Sequence, residues 1–257
     1  MTNPLAAADL CADSAEALAR LETAACYRLI SLFDLDDMSD GFVSCRVMDE
    51  PDSFVVGGYA LFPEEARASE LYKRSLSAEP SLEHFGGVDI DAHNFSRTTM
   101  NARPEFNACI HAHSEFAVAF SSMDCTIEPI SQYGIMFHDR TAYMDFYDSD
   151  VTAGDACGTI ETLFQQGAEL IVLRNHGLLV PGRTVAQAFF HLYRIEQACR
   201  YQVRAMAAGA ARVTPDRVSL DSIRKQYWTQ TQVHNDGQRE WPGLIRKLDR
   251  LDPSFRE

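Results

Sequence analysis

The stretch "AELIVLRNHGLLVPGRTVAQAFFHLYRIEQACR", residues 168–200, decides how the chain is to be read. Residues 168–174 are a short, largely apolar run of strand length that stops at Asn175, His176 and Gly177. "LLVPG" then leads into a run from Thr184 to about Ala208. In it Val185, Ala188, Phe189, Leu192, Ile195, Cys199, Val203 and Met206 recur at three- and four-residue steps, the period of a helix with one buried stripe. A buried strand that ends on a histidine and is followed by a long helix belongs to an α/β fold, where ligand sites gather at strand ends.

The same patterns extend in both directions. Leu18, Leu21, Ala25, Leu29 and Phe33 mark an amphipathic helix over 15–33. "GFVSCRV" (41–47) and "SFVVGGYALF" (53–62) are β-rich runs split by the turn residues of "MDEPD", which predicts a hairpin. A further strand is expected over 105–113, followed by a helical segment over 114–123. Another strand is expected over 141–147 and a helix over 152–166. The tail closes with a short helix carrying Leu244, Ile245, Leu248 and Leu251, with Pro242 in its first turn. No repeat or low-complexity linker interrupts the pattern, so residues 1–257 read as one α/β domain.

Composition narrows the functional classes. The 257 residues are 46% hydrophobic, enough for a sizeable core, and 37 acidic against 23 basic residues give a formal charge of −14. That charge repels nucleic-acid phosphates and anionic membranes, so the expected partner is a small molecule rather than nucleic acid or a membrane. The start of the chain lacks a basic region ahead of an apolar run, which points to a cytoplasmic protein. The seven cysteines, at 11, 26, 45, 109, 125, 157 and 199, form no CxxC pair and suit buried thiols in a reducing compartment.

"CIHAHS", residues 109–114, places His111 and His113 two apart on a strand, so both imidazoles project from one face. That is chelating geometry, and His176 at its own strand end is the natural third ligand. Of the eight histidines, His84, His93, His138 and His234 lie in polar stretches and His191 is inside the long helix. Cys109 shares the face of the pair but is read as core, since a soft additional ligand more often closes a structural site. Three neutral imidazoles on one divalent ion leave open positions, the catalytic rather than structural pattern of zinc.

Together "ARPEFNACIHAHS" (102–114) and "LRNHGLLVPGRTVAQAFFHLYRIEQACRYQV" (173–203) resemble the class II aldolase and adducin N-terminal domain family. The similarity runs from "SDGFVSCRV" at 39 to "EWPGLIRKLDRLDP", which ends at 253. The resemblance implies a three-layer α/β/α sandwich around a mainly antiparallel sheet, assembled as a homotetramer with active sites at subunit interfaces. It also implies one divalent metal per chain on His111, His113 and His176. Zinc is the first choice, with iron, manganese or cobalt as alternatives.

The chain departs from the sugar-phosphate aldolases of that family at two places. Their Gly-Asn-x-Ser phosphate loop is matched here by Gly41, Phe42, Val43 and Ser44, and the position of their glutamate proton shuttle, eleven residues before Arg103, holds Ala92. Asp91 and His93 flank the vacancy and are candidate general bases. The family's proton-donating tyrosine falls near Gln132 or Tyr133, which makes Tyr133 a candidate donor. Glu196 interrupts the apolar face of the long helix and is expected to pair with Arg200 at i+4.

The expected activity is that of a metal-dependent lyase. It would cleave a carbon–carbon bond of a non-phosphorylated hydroxy- or oxo-acid, aromatic ones included, by retro-aldol reaction or decarboxylation through a stabilised enolate. Two other readings stay open: a non-heme Fe(II) oxygenase on a 2-oxo or hydroxy acid, and a non-catalytic adducin-like scaffold.

Overall fold

The computed structural model describes residues 10, 12–78, 87–145, 155–230 and 236–257. His84, His234 and Cys11, named above, lie outside the described residues, as do the last two residues of the strand expected over 141–147 and the start of the helix expected from 152.

Helix α1 (Ala15–Leu32) starts at Ser14, whose hydroxyl accepts the Ala17 N–H at 3.1 Å and satisfies one of the free donors of a helix start. Its buried stripe includes Leu21, Ala25 and Leu29. Strands β1 (Phe42–Arg46) and β2 (Ser53–Val56) make the expected hairpin, with Ser44 opposite Val56. Strand β2 stops at Val56 instead of continuing to 62, because Gly57, Gly58 and Pro63 break the ladder.

Several elements escape the hydrophobic pattern. Strand β3 (Tyr72–Ser75) is an edge strand whose "YKRS" carries two cations, as exposed edges often do. Helix α2 (Ile90–Ala102) buries Asn94, Ser96 and Thr99 beside Phe95 and Met100, so its apolar period is diluted. Asp91 and His93 therefore sit in the first turn of a helix, not in a loop.

The chain continues through β4 (Ala108–Ala112), α3 (Glu115–Ser121), α4 (Gln132–Phe137), β5 (Thr141–Met144), α5 (Asp155–Gln165) and β6 (Leu170–Leu173). It ends with β7 (Gly177–Gly182), α6 (Val185–Ala207), α7 (Arg217–Lys225) and α8 (Trp241–Leu251). Tyr133 thus lies in a short helix. "GLLVPG" is a central strand in its own right, disguised by Pro181, a residue that central strands rarely carry.

The seven strands form one sheet in the order β3-β2-β1-β4-β7-β6-β5. Every pairing is antiparallel except β5 with β6, which run parallel across the α5 crossover. Strand residues alternate between two cores. Ile110, Val172, Leu178 and Val180 face α1, α3, α4, α6 and α8, while Cys109, Ile171, Leu173 and Leu179 face α2 and α5. The expected three-layer α/β/α sandwich around a mainly antiparallel sheet is therefore present. Among the described residues no helix is long and apolar enough to cross a membrane.

Candidate metal centre

In the alternation of β4, His111 shares the α2 face with Cys109, opposite Ile110. His111 is 6% exposed and lies opposite Phe42 of β1 and Leu179 of β7 in the sheet register. The rings of Phe42 and Phe95 stand 5.8 and 5.5 Å from its imidazole and make that wall of the site apolar. Cys109 is fully buried, with Sγ 3.5 Å from the Thr99 hydroxyl, and belongs to the core as expected.

His176 reaches the pair through the β6–β7 turn. Asn175 takes the left-handed conformation there, with φ 57°, and the His176 N–H donates to Leu173 O at 3.2 Å. Gly177 serves a different purpose from the turn freedom its type suggests. A Cβ at Gly177 would lie 2.5 Å from the Ala112 carbonyl and 2.9 Å from the His113 ring, so only glycine lets β7 approach β4 here.

The fold thereby gathers His111, His113 and His176, with one ring nitrogen of each within 4.8 Å of the others. Ring centroids are 4.6 Å apart for His111 and His113, 4.9 Å for His111 and His176, and 4.7 Å for His113 and His176. Nε2 of His113 faces Nε2 of His111 at 2.9 Å. Nδ1 of His111 points the other way, 2.9 Å from the Leu178 carbonyl, which keeps the proton on Nδ1 and the lone pair of Nε2 toward the cluster.

Burial disfavours charge on all three rings, so each takes up a proton less readily than a free histidine. His111 is lowered furthest, by burial and by its two histidine neighbours. His113 is lowered by burial, with Asp37 and Asp40 pulling back, and His176 is lowered to about 4 by burial and His113, with Asp40 opposing. Neutral imidazoles with convergent lone pairs are the donor set a divalent transition-metal ion requires.

A second set of groups went unnoticed in the sequence. Asp37 and Asp40 lie with His113 inside the same 4.8 Å limit, and Asp37 Oδ2 is 3.6 Å from His113 Nδ1. They sit on the exposed turn between α1 and β1, where Asp40 N–H donates to Asp37 O at 2.9 Å and Met38 takes φ 55°. The acidic stretch "DLDDMSDG", residues 34–41, was the available signal.

Asp91 and His93 do not join this cluster. His93 is buried against Phe54, with ring centroids 5.5 Å apart, and its Nε2 lies 3.2 Å from the Ala78 carbonyl. Asp91 is half-buried at the start of α2, and burial together with Asp89 pushes its carboxyl up to about 6. Ala92, at the vacant glutamate position, is buried in the same core as Phe42 and Phe95. Tyr133 stacks on Tyr201 at 6.2 Å and under the Arg194 guanidinium at 5.0 Å, contacts with α6 rather than with the three histidines.

The expected Glu196–Arg200 pair does not form. Glu196 is 2% exposed and accepts from Ser114 Oγ at 2.7 Å, Ala117 N at 2.9 Å and Phe116 N at 3.1 Å. Arg200 instead lies over the Phe116 ring at 4.8 Å. Three donors at a helix start, where the backbone N–H groups have no helical acceptor, outcompete a single i+4 cation.

Sheet, layers and histidine cluster define a class of protein, and the comparisons with known proteins say which. The class II aldolase and adducin N-terminal domain family matches residues 21–203, and the chain belongs to that family. Human gamma-adducin is 31% identical over an alignment of 252 positions that covers 92% of this chain and 35% of that protein, so the chain spans about a third of that relative. An aldolase II superfamily protein from Pseudomonas syringae superposes with a TM-score of 0.80 at 27% identity, covering 97% of this chain and 99% of the other. The L-fuculose 1-phosphate aldolase of Glaciozyma antarctica shares the fold, with a TM-score of 0.79 at 22% identity over 99% of this chain and 100% of its own.

Proposed function

We propose that the chain is a divalent-metal-dependent lyase that cleaves a carbon–carbon bond of a non-phosphorylated hydroxy- or oxo-acid. The observation that carries this reading is the convergence of three imidazoles, kept neutral by burial, within 4.8 Å. His111, His113 and His176 would hold the ion, with zinc the first choice. When bound there, a divalent ion supplies Lewis acidity toward a substrate oxygen.

The remaining roles fall to the chain itself. Leu178 O holds the His111 tautomer, and Phe42 with Phe95 keeps water from that flank of His111. Phe42 brings no donor to a phosphate. Ser44 is fully buried, its hydroxyl taken by Ser96 at 2.7 Å and Cys109 O at 3.4 Å. These two residues argue against a sugar phosphate such as the one in the name of the Glaciozyma antarctica aldolase. Asp91, poised near neutrality at the start of α2, takes the proton-transfer role in this proposal, with His93 beside it as the alternative. Tyr133 lies apart from the histidines of its own chain, so a role as proton donor requires assembly into a homo-oligomer, a tetramer on the family pattern.

The identity with gamma-adducin and the alanine at position 92 favour a second reading, a scaffold without catalysis. Elemental analysis of untagged protein prepared anaerobically, followed by a panel of hydroxy- and oxo-acids, separates them. About one zinc, manganese or cobalt per chain with cleavage of an acid supports the lyase. Stoichiometric iron with oxygen-dependent turnover selects the oxygenase, and absence of metal selects the scaffold.

A further inference from the structure

The two histidines of β4 are oriented by different kinds of acceptor. His111 Nδ1 faces a backbone carbonyl of β7, an acceptor fixed by the sheet, at 2.9 Å. His113 Nδ1 faces the carboxylate of Asp37, which belongs to the turn before β1, at 3.6 Å. In both rings Nε2 is thereby left toward the cluster.

We infer that Asp37 is the positioning residue of the candidate metal centre, an anionic acceptor that sets the tautomer and ring direction of His113. The inference rests on the proposed metal site and adds to it a residue outside the ligand set. A carboxylate behind a ligating imidazole raises its basicity and restricts its rotation, which strengthens the metal bond without contacting the ion. The 3.6 Å separation is an ion-pair distance, so the role requires the pair to close to the roughly 3 Å of a hydrogen bond.

The geometry of the turn supports a built contact. Asp37 and Asp40 face one another in an isolated bridge, and Met38 between them is held in the left-handed region at φ 55°. A non-glycine residue there costs about 1 kcal/mol or more, and such strain persists where the surroundings over-determine the turn. Immediately after it, Gly41 at φ 103° packs so closely on β4 that a Cβ would lie 2.7 Å from the His111 carbonyl. The turn is therefore clamped to the strand that carries both histidines. Asp40 shares the cluster with Asp37 and His113, and its charge acts on His113 and His176 alike, so it serves as the control for charge without tautomer selection.

The test compares wild type, Asp37→Ala, Asp37→Asn, Asp37→Glu and Asp40→Asn. It uses two readouts: Co(II) affinity with its visible spectrum, and the tautomer of His113 in the Zn(II)-loaded protein by long-range nitrogen–proton NMR. Asp37→Ala is expected to weaken Co(II) binding about 10- to 100-fold and to convert His113 from the Nδ1–H form to a mixture. Asp37→Glu is expected to recover most of both, Asp37→Asn to fall between, and Asp40→Asn to leave the tautomer unchanged. Wild-type affinity and an unchanged tautomer in Asp37→Ala overturn the inference while leaving the metal site standing. A wild-type protein that takes up no Co(II) overturns the metal reading and this inference with it.

Discussion

Ser114, the residue after His113, donates its hydroxyl to Glu196 at 2.7 Å across 82 positions of sequence. The contact joins the end of the histidine strand to the middle of the longest helix, and the same carboxylate accepts the N–H groups of Phe116 and Ala117. Removing it strands three donors in a buried setting, two of them at the start of α3. Glu196→Ala is expected to lower stability by about 3 kcal/mol, and Glu196→Gln by less, in urea unfolding at neutral pH. A loss under about 1 kcal/mol for the alanine variant would show that water replaces the carboxylate.

Gly41 at φ 103° sits against the His111 carbonyl, and the next residue, Phe42, lies opposite His111 in the register. Gly41→Ala combines left-handed strain with a backbone clash and is expected to cost about 2 kcal/mol or more. Phe42→Asn, which restores the sugar-phosphate loop residue in name, buries an amide beside Phe95 and is expected to cost about 2–4 kcal/mol. Because Ser44 remains consumed by Ser96, that variant is expected to gain no binding to a sugar phosphate in isothermal titration. Measurable binding would contradict the account of this loop.

Glu22 of α1 is partly buried, faces the buried thiols of Cys26 and Cys45, and has no cationic partner among the described residues. Burial pushes its carboxyl up from 4.5 to about 7. The folded state therefore holds a proton that the unfolded chain has released, so the contribution of Glu22 is most favourable below pH 4.5 and is lost as pH rises from there to about 7. Glu22→Gln is expected to flatten the stability profile across that window and to raise stability at pH 8 by on the order of 2 kcal/mol, read by thermal and urea unfolding.

Asp91, raised to about 6, must be ionised to accept a proton. On the proposed lyase reaction, kcat/KM is expected to rise with pH through an apparent value near 6, and Asp91→Asn to lower kcat by about 100-fold or more and abolish that limb. A retained acid limb in Asp91→Asn would transfer the role to another group, His93 first.

Much of this protein was legible in the chain because its strongest signals are local. Residues 168–208 announce a strand, a histidine turn and a helix through period alone, and observed β6 and α6 fall within those limits. The pairing of His111 with His113 follows from the two-residue repeat of a strand. Their meeting with His176 was an inference about strand ends, and the sheet order that sets β4 beside β7 brings it about.

Other features were decided by the tertiary structure. Sequence spacing favours Glu196 with Arg200 at i+4, yet the start of α3 supplies three donors from 80 residues away, and nothing local encodes that approach. Asp37 and Asp40 read as solvated loop acids until the turn is clamped beside His113. Strand β7 was concealed by Pro181 and helix α2 by its buried polar residues. The sequence by itself determined which segments bury an apolar stripe or face, since that depends on the order of side chains along one element. Which polar groups meet depends on the sheet order and on helix docking. Those follow from burying all the apolar faces at once, a condition on the whole chain that no single stretch contains.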